Sequence, residues 1–294
     1  MPDLPTANIP EKRVGIIGLG LMGTAITERF LEAGYKVYVW NRTQEKADAL
    51  IAAGATWSDC PLAESSRVII SLYSSDVVDE VLSGWEDRLS ESQIIIDTTT
   101  GDPQASVAFA RRMTQRGSIY LEAPISGSSL QTRQGLATVI VAGDRSAFDA
   151  CQDLWPLLGN QTFYVGPSGN AAKMKLVSNL VLGLNRAAVA EGLALAEALD
   201  IDLADALKVL RGSAAYSKQM DSKGPKMVSG EYSPQARLSQ HLKDVRLMLQ
   251  SARESGLELP MSTAHEKLLA RAESQGLGDL DNSAVFEAIR PRRN

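Results

Sequence analysis

The sequence predicts an α/β protein with an N-terminal domain on a mostly parallel sheet and a C-terminal all-helical domain, joined by a long interdomain helix. Three observations predict it. Short apolar runs alternate with helical patterns from residue 13 to about 165, which implies a parallel sheet covered on both faces. From Gly169 onward strand signals stop and helical periodicity continues to the C-terminus. One helical pattern, residues 171–199, would be about 43 Å long at ~1.5 Å per residue, long enough to serve both domains. The expected division is a flexible tail over residues 1–12, the sheet domain over 13–168 and the helical domain over 169–294.

Taken in order, the strand candidates are residues 14–17, 36–40, 68–72, 94–96, 119–121, 138–141 and 162–165. Gly34, Gly54 and Gly117 stand where the intervening helices should stop. Beyond residue 169 the helical segments are 173–199, 203–211, 238–255 and 263–274.

The first strand leads directly into Gly18-Leu19-Gly20-Leu21-Met22-Gly23, a G-x-G-x-x-G. An amphipathic helix follows, with Ile26, Phe30 and Leu31 on one face and Thr27, Glu28 and Glu32 on the other. In that strand–turn–helix setting the motif predicts dinucleotide binding and a Rossmann-type domain. The first glycine permits the turn, the second lets backbone approach a pyrophosphate, and the third lets helix and strand pack closely. The helix N-terminus adds free N–H groups and partial positive charge.

Asn41-Arg42-Thr43 follow the second strand, where an NAD-specific fold places an acid for the ribose 2′-hydroxyl. Arg42 can instead pair with a 2′-phosphate, so NADP(H) is expected in preference to NAD(H). The other reading is a polar turn in which Thr43 caps the next helix. Leu72-Tyr73-Ser74 and Asp97-Thr98-Thr99-Thr100 follow the third and fourth strands, at the sheet edge where ligands bind. The threonines either line the cofactor or cap a helix. In Glu122-Ala123-Pro124-Ile125-Ser126-Gly127-Ser128, small residues leave N–H groups to cradle a carboxylate, or simply turn the chain.

Lys175 and Asn179 lie one helical turn apart on one face, with Lys173 pointing roughly the opposite way. A protonated lysine beside a carbonyl can donate a proton as hydride arrives at carbon, and the amide can hold the oxygen. A solvated helix lysine is the alternative. His241 and His265 have no evident third group to orient them and read as surface or packing residues. Neither a Ser/His/Asp relay nor a metal site has support.

A net charge of −5 gives no attraction to nucleic acid or anionic membrane. Cys60 and Cys151 form neither a disulfide framework nor a metal cluster and suit a reducing compartment. The apolar stretch 176–199 carries Asn185, Arg186, Glu191 and Glu197, which rules it out as a membrane span. A soluble, cytoplasmic protein is expected.

Four segments in this order resemble the β-hydroxyacid dehydrogenase family: Gly18 to Gly23, Glu122 to Gly127, Lys175-Leu-Val-Ser-Asn179 followed by Glu191, and Leu238-Ser-Gln-His-Leu-Lys243-Asp244. The details around Trp40–Thr43 and Glu122–Ser128 look most like its glyoxylate and succinic semialdehyde reductase branch. The resemblance implies NADPH-dependent reduction of a small aldehyde acid, with Lys175 as general acid and Asn179 holding the reacting oxygen. It further implies Ser126, Gly127 and Ser128 at the substrate carboxylate, Arg42 at the 2′-phosphate, Thr100 and Lys243 at the cofactor, and a homodimer or homotetramer. Three positions depart from the pattern: Ser128 for a glycine, Ala236 for an aromatic, and Ser178 for an asparagine. The alternatives are a 3-hydroxyisobutyrate or sugar-acid dehydrogenase, an imine reductase, and a non-catalytic NADPH-binding scaffold. Relatives of the last two kinds lack the lysine that this chain keeps.

Overall fold

Each expected strand is present in the computed structural model, which describes residues 12–290. Residues 1–11 of the expected tail lie outside the described residues. The strands are β1 (Arg13–Ile17), β2 (Lys36–Trp40), β3 (Thr56–Trp57), β4 (Arg67–Ile70), β5 (Ile94–Asp97), β6 (Ile119–Glu122), β7 (Ile125–Ser126), β8 (Thr138–Gly143) and β9 (Gln161–Tyr164). They join in the order β3-β2-β1-β4-β5-β6-β8-β7, with β9 on β8. The first six strands are parallel throughout. β8 then runs antiparallel to β6 and β7. The order from β3 to β6 is the doubly wound one, which reverses at β1 and opens a crevice beyond the strand ends.

Both sheet faces are buried, which explains why these strands read as continuous apolar runs. In β5, Ile94 and Ile96 join one core with Val14, Ile16, Ile26 and Phe30. Ile95 points the other way, into a core with Ile17, Ile70, Leu82 and Phe109. β3 and β7 escape sequence reading because two residues cannot display a period.

The turn after β1 is the tightest point of this unit. Gly18 has φ +98, and a Cβ there would lie 2.3 Å from the Ser71 carbonyl oxygen. A Cβ on Gly23 would lie 1.8 Å from the Gly18 carbonyl oxygen. Helix α1 (Leu21–Glu32) therefore sits on β1 only because both positions lack side chains. Gly20, its N-cap, differs: a Cβ there would meet nothing within 4 Å.

The described residues divide into two compact units, 12–127 with 131–171, and 128–130 with 172–290. The second is helical. Its longest element is α2 (Asn170–Ala198), 29 residues. Around it are α3 (Leu203–Arg211), α4 (Leu238–Glu254), α5 (Pro260–Ala272) and short helical turns at Lys218–Ser222 and Gly224–Ser229. Leu176, Val189 and Leu193 of α2 share a core with Leu207, Leu242, Val245, Leu269 and Phe286. No helix among the described residues is long and apolar enough to cross a membrane.

Gly23→Ala should lower the thermal midpoint, since overpacking of this kind costs about 1–3 kcal/mol or more. Gly20→Ala should leave the midpoint unchanged. Thermal melts of the two variants check this; equal losses would contradict the division of labour.

Candidate active site

The predicted cofactor residues of the N-terminal unit follow the C-terminal ends of β1, β2, β4 and β5, whereas Lys243 lies on α4 of the helical unit. Asn41 braces the glycine turn: its Oδ1 accepts the Leu19 N–H at 3.0 Å, and its Nδ2 donates to the Thr43 carbonyl at 2.9 Å. Thr43 offers no side-chain cap to the helical turn that follows. Arg42 is exposed, and its guanidinium has no ion pair or side-chain hydrogen bond among the described residues. A Cβ-free approach at Gly20 and the glycine turn braced by Asn41 fit a dinucleotide.

Behind the turn, a hydrogen-bonded chain fixes the next two loops. The buried Tyr120 hydroxyl donates to Asp97 Oδ2 at 2.5 Å, and Asp97 Oδ1 accepts the Thr99 N–H at 2.8 Å. Thr99 Oγ1 in turn accepts the Leu72 N–H at 3.1 Å. Burial raises the Asp97 carboxyl, while the bonds from Thr99 and Tyr120 oppose that shift. Thr98 donates to the Ile70 carbonyl, and the cap of helix Pro103–Gln115 is Asp102. None of the three threonines is that cap. Tyr73 is exposed and Ser74 precedes helix Ser75–Gly84, both beside the loop that Thr99 anchors.

Ser126 pairs with Thr138 across β7 and β8. Gly127 lies so close to Ala137 that a Cβ would come within 3.0 Å of its methyl. Ser128 is buried and groups with the helical unit. Glu122, of the same motif, is also buried and accepts the Gly169 N–H, so its carboxylate holds the chain just before α2.

In the helical unit, Lys175 and Asn179 both point inward from α2, whereas Lys173 is exposed, as their spacing requires. Lys175 is only 5% exposed. Burial pulls its amine down to about 8, against the opposing charge of Asp244. Asn179 Nδ2 donates to Asp244 Oδ2 at 3.2 Å, and Lys243 lies 3.1 Å from Asp244 Oδ1. Asp244 stood in the fourth segment of the family resemblance, but sequence reasoning gave it no role of its own. It shares the inward face of α4 with His241, Val245 and Met248, and a carboxylate on an apolar face was the available signal. The segment that contains Ala236 is held by another buried pair: Lys223 Nζ lies 2.9 Å from Asp281, whose Oδ2 accepts the Gln235 and Ala236 N–H groups.

His241 and His265 are buried against one another rather than against a nucleophile. Among the described residues no group of three His, Cys, Asp or Glu side chains could hold a metal.

A dinucleotide turn together with a buried, protonatable lysine is the equipment of an NAD(P)-dependent oxidoreductase acting on CH–OH or carbonyl groups. Comparison with known proteins agrees. Residues 13–166 match the model of the NAD-binding domain of 6-phosphogluconate dehydrogenase. Residues 169–289 match that of the NAD-binding domain of NADP-dependent 3-hydroxyisobutyrate dehydrogenase. The chain belongs to the β-hydroxyacid dehydrogenase family. It is 34% identical to glyoxylate/succinic semialdehyde reductase 1 of Arabidopsis thaliana, over 94% of this chain and 98% of that one. Among solved structures, 3-hydroxyisobutyrate dehydrogenase from Salmonella typhimurium shares the fold, with a TM-score of 0.86 at 24% identity over 94% and 99% of the chains. Psf3 in complex with NADP+ and 2-OPP has a TM-score of 0.87 at 26% identity, covering 94% and 99%.

Titration of the Lys175 amine by NMR should give a midpoint near the value of about 8 that burial sets. The acid form is complete below that pH and lost above it. Asp244→Asn removes the charge that raises the amine and should move the midpoint lower; an unchanged midpoint would disconnect the two groups.

Proposed function

We propose that the chain is an NADPH-dependent reductase of small aldehyde acids, such as glyoxylate or succinic semialdehyde, giving the hydroxy acids. The observation that carries this reading is the buried Lys175 beside Asn179, with an amine adjusted to about 8. An acid of that strength holds its proton at neutral pH yet releases it readily, as general acid catalysis requires. The likeness to the Arabidopsis reductase, which covers nearly all of both chains, supports the substrate class.

When bound, NADPH would supply the hydride for the carbonyl carbon. As the C=O π bond opens, Lys175 gives its proton to the oxygen and is left as a neutral amine, the form its burial favours. Asn179 spends one amide hydrogen on Asp244 and keeps the other for the same oxygen. Ser126, Gly127 and Ser128 receive the substrate carboxylate. Gly18 to Gly23, Asn41, Thr43, Leu72, Tyr73, Ser74, Thr100 and Lys243 would hold the cofactor, and Arg42 would pair with its 2′-phosphate.

An exposed apolar edge on α2, made by Met174, Val177, Val181 and Leu195, supports self-association as a homodimer or homotetramer. The unpaired Cys60 and Cys151 suit the cytoplasm.

Cofactor consumption with glyoxylate, succinic semialdehyde, methylglyoxal and tartronate semialdehyde, run with NADPH and NADH in parallel, tests the reading. An aldehyde acid should be turned over with NADPH preferred, and silence across the panel would refute the activity. Arg42→Asp should weaken NADPH roughly tenfold or more, the worth of a lost charge-assisted contact, and NADH far less. Equal losses for both cofactors would remove Arg42 from the phosphate site.

A further inference from the structure

The inward polar face of α2 continues past Asn179 to Gly183 and Arg186. Arg186 is 0% exposed, and among the described residues all three guanidinium nitrogens lack a hydrogen-bond partner. The acid whose charge reaches it is Asp281. That carboxylate is already engaged by Lys223 Nζ, 2.9 Å from both of its oxygens, and by Ser283 and the Gln235 and Ala236 N–H groups. Among the described residues Arg186 therefore remains a buried cation with no counterion of its own. Burial lowers the guanidinium only to about 10, so it is charged at neutral pH.

Two further unsatisfied groups converge on the same stretch of helix. A Cβ on Gly183, one turn before Arg186, would lie 2.5 Å from His241 Nε2 and 2.9 Å from His265 Cε1. The ring centroids are 5.3 Å apart, and neither Nε2 has a partner among the described residues. Both imidazoles feel the Arg186 charge, and burial with that charge keeps them neutral. A neutral imidazole with its hydrogen on Nε2 is a donor.

We propose that Arg186, His241 and His265 form a buried site for a small monovalent inorganic anion of the size of chloride. Such an ion supplies the missing negative charge and accepts from the unsatisfied donors. Water could accept the hydrogen bonds but would leave the charge unbalanced. Arg186 lies eleven positions along α2 from Lys175, about 16 Å of helix at ~1.5 Å per residue, and His241 also feels the charges of Lys175 and Lys223. The inference does not depend on the reaction proposed above.

The test is thermal unfolding of the full chain as chloride or bromide replaces gluconate at constant ionic strength, up to about 100 mM, since a ligand bound only by the folded state raises its stability. The midpoint should rise saturably with either halide, and Arg186→Met should abolish the response. A midpoint indifferent to halide, or an equal rise in Arg186→Met, would overturn the site. If that variant does not fold, chloride NMR of the wild-type protein decides: saturable line broadening reversed by bromide supports the site, and its absence overturns it.

Discussion

Charge buried on the inward face of one long helix is the constraint around which the helical unit is arranged. Lys175, Asn179 and Arg186 all face inward from α2, among side chains such as Leu176, Val189 and Leu193. Taking such groups out of water is expensive unless partners meet them. The unit supplies Asp244 for the first two, from α4. It supplies Asp281 for Lys223, and through it positions the chain around Gln235 and Ala236. What remains of the desolvation cost appears as chemistry: an amine near 8 rather than 10.5.

The N-terminal unit works by a different constraint, namely space. Gly18 and Gly23 are demanded by the fold itself, because a side chain at either would overlap backbone. Gly20 is not, and a glycine that packing does not require is free to serve a ligand. The loops beside it are fixed at a distance by the Tyr120–Asp97–Thr99–Leu72 chain. Pre-set loops of this kind bind without first losing conformational entropy.

Much of this was legible in the sequence, for identifiable reasons. Seven strands were visible, most of them because burial on both faces makes them read as apolar runs, whereas β9 is half exposed; β3 and β7 were too short to read. Lys175 and Asn179 were legible because helical spacing alone places them on one face. The Asp244 bond to Asn179 was not, since it joins residues 65 apart in sequence. Nor could local pattern show that Thr98 and Thr99 bond across strands while Asp102 caps the helix. Arg186 was visible only as a charge that spoils a membrane span; its isolation depends on Asp281 being occupied by another lysine.

The central claim is that the buried lysine delivers the proton. The most direct measurement is NADPH consumption by Lys175→Met with an aldehyde acid that the wild-type enzyme reduces, alongside NADPH binding by the same variant. The account predicts turnover lower by about 10²-fold or more, the worth of a general acid, with cofactor binding retained. Turnover within a few-fold of wild type would contradict it.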